Sequence, residues 1–500
     1  MNRPIRILSI LLGILFGALL INQTYLQYYA AGGYNSDTRN RRVIDAEYSR
    51  ERGALLVGRT AIAESKKSED PDDSYAFQRT YAKPYLYSPL TGWFGYGGSV
   101  TGLEKSQNQV LSGDDDRLFV NRMIDLLGND GPKGGNVELT INAKAQKAAY
   151  DGLTALPGDV KGAVVAIEPS TGRILALVTT PTYDPNTLSS HDFPANQAAY
   201  DKLNADPDEP LLDRAVQMTL PPGSTFKIVT AAAAIETLGK YDAESTVPGG
   251  DTYQLPLTKG ESGLIDNEGR SCGTSKGVPF KQAMENSCNT TFAQLAVEVG
   301  AEGMQKVAEG FGFNQTYFDQ LQGTNGKSLT ATSVFPTDMD EAQTGQTGFG
   351  QFEVRATPLQ MAMVAAGIAN NGVVMKPYVV GEVQSSDSDV VYQGKTQELS
   401  RAVSASTATE VTKLMVATVD DGTASPAAIA GVKVAGKTGT AQSGQDDVSP
   451  YAWFTSFAPA ENAKVAVAVM IQSADIPRDD VAGGKYGGPI AKAVMEAVLK

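Results

Sequence analysis

Two side chains three residues apart, Ser224 and Lys227, could together perform acyl transfer. Residues at positions i and i+3 share one face of a helix, so the hydroxyl and the amine come within hydrogen-bonding distance if this segment is helical. A serine hydroxyl is a weak nucleophile until a base removes its proton, and a lysine serves when burial or neighbouring cations lower its pKa. At a helix start, the backbone N–H of Ser224 also points at a developing oxyanion. This is the only Ser-x-x-Lys in the chain.

Ser-Cys-Asn at 287–289 offers a second hydroxyl and an amide. Ser287 could relay a proton, and Asn289 could hold a substrate amide. The pattern is weak by itself, because Ser-Gln-Asn at 106–108 repeats it and such residues more often cap helices or form turns. Its position between the first motif and a later lysine motif favours 287–289.

A lysine with two neighbouring hydroxyls lies in the strand-like run VKVAGKTGTAQ. Lys437 gives a cation, Thr438 and Thr440 give hydroxyls, and Gly439 lets substrate approach the backbone. Such a strand could bind a substrate carboxylate, although alone it would more often be a surface strand with an ordinary lysine. Only the three motifs together, in this order, indicate an active site.

A serine hydrolase is the competing interpretation, because Gly-x-Ser-x-Gly occurs at 273–277. That fold needs its histidine after the serine. The only histidine, His191, precedes the motif, and no strand clearly leads into it. The match is therefore interpreted as accidental, and His191, in a Ser-Ser-His-Asp loop, is expected on the surface.

Composition argues against two other classes of function. The formal net charge of -14 disfavours a nucleic-acid partner, because such binding depends on neutralising phosphates with Lys and Arg. One histidine and two cysteines leave no cluster for zinc, haem or iron–sulfur, so neither a metal site nor a cofactor is expected. Cys272 and Cys288 are either bridged in an oxidising compartment or two small buried thiols, and the sequence leaves both open.

The first 31 residues carry the localisation signal. Arg3 and Arg6 precede an apolar run from Ile7 to Ile21, and no charged residue follows until Asp37. This run and the tyrosines after it suit a membrane span with an aromatic belt. Positive charge before the span places the amino terminus in the cytoplasm and the remainder outside. The alternative is a cleaved signal peptide with Ala30-Ala31 as its weak cleavage site.

Helices and strands are predicted around the motifs. A helix is predicted from Ser224 to Gly239, because Pro221-Pro222-Gly223 cannot be its interior and a glycine can close it. The other elements are, in chain order, a helix in AKAQKAAYDGLTAL, a β-hairpin in GAVVAIEPSTGRILALVTT, a helix in TPLQMAMVAAGIANNG, strands in VKVAGKTGTAQ, AWFTSFAP and KVAVAVMIQ, and a terminal helix from Pro489 to Leu499. The mixture of helices with antiparallel strands indicates an α+β fold.

Three regions are predicted along the chain. Residues 1–31 form a cytoplasmic tail and a transmembrane anchor, residues 32–135 a non-catalytic stalk, and residues 136–500 the catalytic domain. The charged stretch from Thr38 to Asp73 is expected to be extended. The main boundary is placed in the turn-rich run LLGNDGPKGGN.

The order GSTFK at 223–227, SCN at 287–289 and KTGT at 437–440 resembles the penicillin-recognising serine transferases and hydrolases. Further segments resemble class B penicillin-binding proteins, in particular the penicillin-binding protein A group of actinobacteria: RGALL, YSPLTGWFGYGGSVTGLEKSQNQVLSG, LTINAKAQ, GAVVAIEPSTGRILALV, PPGSTFKI, ATPLQMA and AWFTSFAP. The resemblance covers nearly the whole chain. It departs at 218–220, where an aromatic residue is commoner, and at Cys288, and neither departure removes a reacting group.

The resemblance implies both a fold and a reaction. The fold is a single transmembrane helix, a smaller β-rich stalk or dimerisation-type domain, and a serine β-lactamase-like transpeptidase domain with helices flanking an antiparallel sheet. The reaction is that of a peptidoglycan D,D-transpeptidase, which cross-links stem peptides through an acyl-enzyme formed from D-alanyl-D-alanine termini and is inhibited covalently by β-lactams. A multi-span wall glycosyltransferase is the implied partner.

The resemblance also implies a role for each motif residue. These are Ser224 as acylated nucleophile, Lys227 as its proton acceptor, Ser287 and Lys437 as the proton-relay pair, Asn289 as substrate clamp, Thr438 and Thr440 as carboxylate ligands, and the backbone N–H groups of Ser224 and Thr440 as oxyanion hole.

Two alternatives stay open. One is a hydrolase of the same superfamily, a D,D-carboxypeptidase or a β-lactamase, although the stalk argues against the latter. The other is a membrane-bound β-lactam or wall-fragment sensor or a scaffold, although a short amino-terminal tail gives a sensor little means of signalling inward. A bifunctional wall polymerase is disfavoured, because about 100 residues are too few for a glycosyltransferase domain and its stalk.

Overall fold

The computed structural model describes residues 3–30, 34, 45–46, 48–70, 73–119, 133–442, 444 and 448–500. The α-helices of these residues are α1 (Arg3–Thr24), α2 (Pro84–Thr91), α3 (Gly102–Ser106), α4 (Asn108–Ser112), α5 (Ala143–Thr154), α6 (Phe193–Asn204), α7 (Lys227–Leu238), α8 (Phe280–Glu285), α9 (Asn289–Val299), α10 (Ala301–Gly310), α11 (Glu341–Thr347), α12 (Pro358–Ala369), α13 (Ala405–Asp420) and α14 (Gly483–Leu499).

The strands of the same residues are β1 (Leu55–Val57), β2 (Thr60–Lys67), β3 (Phe77–Tyr81), β4 (Asn136–Leu139), β5 (Lys161–Ile167), β6 (Ile174–Thr180), β7 (Thr246–Val247), β8 (Thr252–Gln254), β9 (Leu264–Asp266), β10 (Val278–Pro279), β11 (Val373–Met375), β12 (Val380–Gln384), β13 (Val390–Gln393), β14 (Glu398–Arg401), β15 (Ala435–Ala441), β16 (Tyr451–Ala458) and β17 (Val465–Ser473). The predicted β-hairpin, the three later strands and the helix in AKAQKAAYDGLTAL are all confirmed.

One five-stranded sheet carries the lysine motif on its edge strand. Its order is β15-β16-β17-β5-β6, and each neighbouring pair is antiparallel. Because side chains alternate along a strand, β17 directs Val467 and Val469 into one core and Ala468 and Met470 into another. Helices α5 and α14 cover one face, and α12 covers the other. The sheet is therefore buried on both sides and holds the motif strand rigidly.

Helix α14 begins at Gly483, earlier than the predicted start at Pro489, so that prediction is wrong. Four glycines precede the proline, and glycine is a poor helix former in isolation. Here the missing side chains let the helix lie directly on β16. A Cβ on Gly483 would meet the carbonyl oxygen of Trp453 at 1.9 Å, and one on Gly487 would meet Phe454 Cβ at 2.7 Å. Close packing against the sheet overrides the local preference.

A second sheet of six strands has the order β13-β12-β4-β1-β2-β3. Strands β1 and β2 lie within the charged stretch from Thr38 to Asp73, which agrees with the β-rich stalk domain that the resemblance implies. The short apolar runs of this stretch supply the side chains that pack the sheet. Leu55, Val57 and Ile62 are buried in the core, while Lys66 and Lys67 remain exposed.

The six-stranded sheet joins distant parts of the chain. Strands β12 and β13 come from residues 380–393, and β12 pairs with β4 at residues 136–139. Strand β4 in turn pairs in parallel with β1. Most of the turn-rich run chosen as the boundary lies outside the described residues. The limits 1–31, 32–135 and 136–500 therefore remain predictions.

His191 is not the surface residue that its loop sequence predicts. Its side chain is 15% exposed, and its Nδ1 contacts Asp73 Oδ2. Its ring centroid lies 5.3 Å from those of both Tyr48 and Tyr75. The prediction is wrong because aromatic residues more than 100 positions earlier in the chain cover this loop, which no local pattern reveals.

The amino-terminal segment is helical as predicted. The span Arg3–Tyr29 is long and apolar enough to cross a membrane, and none of the residues in its most apolar window is buried against the rest of the chain. A signal sequence would meet the same criterion, so the anchor and the cleaved peptide both remain possible interpretations.

Candidate active site

Ser224 lies in a tight 3-10 turn, Gly223–Phe226, directly before α7. The predicted helix therefore starts as an α-helix only at Lys227, and it ends at Gly239 as predicted. Gly223 has a φ of +52°, and a Cβ there would meet Ala441 Cβ and the Thr440 carbonyl oxygen at 3.0 Å. Glycine is required because the turn lies against β15. This contact brings the nucleophile motif next to the lysine motif.

Lys227 is fully buried at the start of α7. Its Nζ donates hydrogen bonds to the Ser287 carbonyl oxygen at 2.7 Å, to Ser287 Oγ at 3.2 Å and to Asn289 Oδ1 at 2.8 Å. Burial lowers the pKa of Lys227 well below its ordinary value, and the nearby charges of Lys437 and Arg270 act in the same direction, while Glu268 opposes them. The lowered pKa makes the neutral amine more accessible than that of an exposed lysine, which suits Lys227 to act as a base.

Ser287 occupies the short turn between α8 and α9. Its φ is +55°, which is uncommon for a residue with a side chain. Its backbone N–H donates a hydrogen bond to the Met284 carbonyl oxygen at 3.1 Å. The backbone N–H of Cys288 donates to the Ala283 carbonyl oxygen at 2.9 Å. These bonds hold the turn, which aims the Ser287 hydroxyl at the two lysines.

Lys437 is fully buried on β15, opposite Thr455 of β16. Its Nζ donates to Ser287 Oγ at 2.9 Å and to the Thr438 carbonyl oxygen at 3.0 Å. Burial, with a contribution from Arg270, lowers the pKa of Lys437 to about 7. One hydroxyl, that of Ser287, thus contacts both lysines, and a proton can pass between them through it.

The remaining lysine-motif residues follow along β15. Thr438 Oγ1 lies 2.9 Å from Thr423 Oγ1, and the Thr440 side chain is exposed. A Cβ on Gly439 would meet the Pro222 carbonyl oxygen at 3.0 Å and Trp453 Cβ at 3.1 Å. Glycine is thus needed here for packing against the Ser224 turn, in addition to the substrate approach that the sequence suggests.

The predicted catalytic and substrate-binding residues other than the two buried lysines share one cleft. It is lined by Ser224, Glu268, Arg270, Ser287, Asn289, Phe349, Gln351, Thr438, Gly439, Thr440 and Gln442. Sequence reasoning missed five of these, at positions 268, 270, 349, 351 and 442. No motif marks them, and the only available signal is the position of Arg270 two residues before Cys272.

One predicted contact is not present in this state. Among the described residues, Ser224 Oγ forms no hydrogen bond with Lys227 Nζ, because the amine is turned towards Ser287 and Asn289. The alternative motif at 106–108 lies elsewhere, and Ser106 Oγ donates to the Gln320 carbonyl oxygen at 2.7 Å. Ser275, in the Gly-x-Ser-x-Gly match, is exposed on a loop, which agrees with an accidental match.

The two cysteines are joined in a disulfide, with a Cα–Cα distance of 5.7 Å. The bridge ties the loop after β9 to the middle residue of the Ser-Cys-Asn motif. Of the two alternatives that the sequence leaves open, the structure contains the bridged one.

Family models match two regions of the chain. Residues 162–496 match the penicillin binding protein transpeptidase domain, and residues 52–137 match the penicillin binding protein A dimerisation domain. The chain belongs to the penicillin-binding protein transpeptidase family. The predicted family and fold class are thereby confirmed.

Individual relatives of this penicillin-binding protein are similar over their full length. Peptidoglycan D,D-transpeptidase PbpA of Mycolicibacterium smegmatis is 39% identical, and the match covers 100% of this chain and 99% of the relative. The ceftriaxone acyl-enzyme complex of penicillin-binding protein A from Mycobacterium tuberculosis has a TM-score of 0.84 and 38% identity, covering 91% of this chain and 100% of that one. The penicillin G acyl-enzyme of the same protein has a TM-score of 0.82 and 38% identity, covering 90% and 100%.

Proposed function

We propose that this penicillin-binding protein is a peptidoglycan D,D-transpeptidase in which Ser224 is the acylated nucleophile. One observation carries the assignment of the residues. Hydrogen bonds run from Lys227 through Ser287 Oγ to Lys437, and the first and second motif serines line the same cleft. The acyl-enzyme complexes of a relative 38% identical to this chain support the reaction type.

Acylation begins with removal of the Ser224 proton. Because burial lowers the pKa of Lys227, its amine is the group that accepts this proton, as Ser224 Oγ attacks the carbonyl carbon between the two terminal D-alanines. The resulting Lys227 ammonium keeps two acceptors, the Ser287 carbonyl oxygen and Asn289 Oδ1. Backbone N–H groups of Ser224 and Thr440 stabilise the oxyanion.

The departing D-alanine needs a proton on its new amine. Lys437 Nζ donates to Ser287 Oγ, so the Ser287 hydroxyl can give its own proton to the amine and take one from Lys437. A later transfer from Lys227 through Ser287 restores both lysines. In each cycle one proton leaves Ser224 and one proton is delivered to the leaving amine, so no external acid is needed. The hydroxyls of Thr438 and Thr440 hold the terminal carboxylate.

The acyl-enzyme is resolved by an amine of a neighbouring stem peptide, which forms the cross-link and frees Ser224. A β-lactam undergoes only the acylation half of this reaction. Its ring amide opens onto Ser224, but the amine stays attached to the acyl group and blocks the cleft. Covalent inhibition by β-lactams is therefore expected.

The test uses the full-length protein in detergent, a donor peptide ending in D-alanyl-D-alanine and an amine acceptor, with products measured by mass spectrometry. We expect more cross-linked than hydrolysed product, and loss of both in Ser224→Ala. Ser275→Ala, which removes an exposed serine outside the cleft, is the matched control and should keep full activity. Hydrolysed product alone would identify a carboxypeptidase instead.

Location follows from the amino-terminal segment. The span Arg3–Tyr29 anchors the chain in the cell membrane once, with Arg3 and Arg6 on the cytoplasmic side and the catalytic residues outside. A multi-span glycosyltransferase would supply the glycan strands, and residues 32–135 are the surface proposed to contact it. Protease protection in spheroplasts tests the orientation, and co-purification from crosslinked membranes with and without residues 32–135 tests the partner.

A further inference from the structure

A loop beside the cleft carries a third basic residue. Arg270 lines the cleft with Glu268, and its side chain is 31% exposed. Its Nε donates to the Asn267 carbonyl oxygen at 2.9 Å, and one terminal nitrogen donates to Glu268 Oε2 at 2.8 Å. A guanidinium has five N–H groups, so donors remain for a ligand in the cleft.

The loop is firmly held against the second motif. Asn267, 2% exposed, accepts a hydrogen bond from the Thr290 N–H at 3.0 Å and donates to the Gly250 carbonyl oxygen at 2.9 Å. Asn289 Nδ2 donates to the Asp266 carbonyl oxygen at 3.2 Å. The disulfide from Cys272 fixes the other side of Arg270. The guanidinium is therefore carried by a preorganised loop rather than by a free surface segment.

Basic side chains outnumber carboxylates around the cleft, unlike in the whole chain. The chain has 56 acidic and 42 basic residues. Among the described residues at or directly beneath the cleft, Lys227, Lys437 and Arg270 face only one carboxylate, that of Glu268. The proposed reaction uses the two lysines as proton carriers and gives Arg270 no contact with the substrate, only an effect on the pKa of both lysines.

Position in the cleft indicates what Arg270 would meet. The terminal carboxylate of the donor peptide is assigned to Thr438 and Thr440 on β15. Arg270 lies on a different element, the loop that is bonded to Asn289, the residue assigned to clamp a substrate amide. A peptide held at both places reaches Arg270 with residues that precede its terminal dipeptide.

We propose that Arg270 forms an anion subsite, which binds a second carboxylate on the part of the stem peptide that precedes D-alanyl-D-alanine. This inference rests on the proposed function. Arginine binds carboxylates through two parallel N–H groups, which gives orientation as well as attraction. Glu268, with its side chain 60% exposed, competes with the substrate for the guanidinium and turns away when the peptide binds.

Three penicillins with one nucleus test the subsite on the full-length protein. Carbenicillin, benzylpenicillin and ampicillin differ at one side-chain carbon, which bears a carboxylate, a hydrogen or an ammonium. The second-order acylation rate constant is measured for each by competition with a fluorescent penicillin. Taking the ratio of carbenicillin to benzylpenicillin cancels any change in Ser224 reactivity caused by the altered charge near the lysines.

We expect Arg270→Gln to lower this ratio about tenfold, the usual worth of a hydrogen bond to a charged group. The ratio of ampicillin to benzylpenicillin should rise in the same variant. Glu268→Gln should raise the carbenicillin ratio, because it removes the competing carboxylate. Arg173→Gln, which makes the same charge change at an exposed site that does not line the cleft, should leave both ratios unchanged.

Equal ratios in the unsubstituted protein and Arg270→Gln, with acylation intact, would overturn the subsite alone. The subsite would also be overturned if Arg173→Gln lowered the ratio as much as Arg270→Gln, because the effect would then be one of net charge. Failure of all three penicillins to acylate the unsubstituted protein would overturn both the subsite and the proposed function.

Discussion

The shared hydroxyl of Ser287 gives the sharpest prediction about mechanism. Ser287→Ala removes one of three acceptors from Lys227 and one of two from Lys437. It removes the hydroxyl that links the two lysines, while each lysine keeps at least one other hydrogen-bond acceptor. Alanine has the same Cβ as serine, so the backbone cost of the φ of +55° is unchanged. The variant therefore isolates the relay from the fold.

The expected loss follows from the worth of a positioned proton carrier, which is about 10²–10⁴ in rate. We expect acylation by a fluorescent penicillin to slow by about 10³, which corresponds to a barrier about 4 kcal/mol higher. The assay is rapid-quench labelling at several pH values, with thermal midpoints measured in parallel. The midpoint should fall only modestly, since Lys227 retains two acceptors.

Thr291→Val is the matched control for this prediction. It also removes a buried hydroxyl four residues away, but Thr291 Oγ1 has no hydrogen-bond partner among the described residues. Its acylation rate should stay within about twofold of the unsubstituted protein, because no proton path is lost. Acylation of Ser287→Ala within about tenfold of the unsubstituted rate at every pH would refute the relay.

Two further predictions concern stability. Burial raises the pKa of Asp213 to about 7. Between about pH 4 and 7 its carboxyl therefore binds a proton in the folded chain but not in the unfolded chain. The free energy of unfolding falls as the pH rises through that window, by about 4 kcal/mol in all. Asp213→Asn should therefore raise the melting temperature at pH 8 far more than at pH 5, and an equal gain at both would contradict this reasoning. Removing the disulfide with Cys272→Ala and Cys288→Ala together should lower the free energy of unfolding by about 3 kcal/mol. Thiol titration of the unfolded protein should find two free thiols only after reduction, and two without it would show that the bridge does not form.

The elements that hold the catalytic motifs were predictable because their signals are local. Gly239 ends α7 with a positive φ, as its place after an apolar helix indicates. The short apolar runs within 161–180 and 451–473 are sufficient to predict strands. Local pattern could not bring the motifs together, since Ser287 and Lys437 lie 150 residues apart. Their meeting was predicted only through the resemblance.

The missed features depend on long-range packing. Arg270 reaches the cleft because Asn267 and the disulfide hold its loop, and neither contact has a sequence pattern that points to an arginine. Strand β12, from residues 380–384, joins a sheet whose first strand begins at residue 55, so a boundary based on local composition cannot detect this pairing. The helical start at Gly483 likewise depends on β16, which lies outside any local window.

The identity of the nucleophile is tested most directly by mass. The full-length protein and Ser224→Ala are incubated with benzylpenicillin, and their intact masses and proteolytic peptides are compared. We expect one stable adduct per chain, located on the peptide that contains Ser224 and absent from the variant. An adduct that persists in Ser224→Ala, or none on the unsubstituted protein, would contradict the assignment of Ser224.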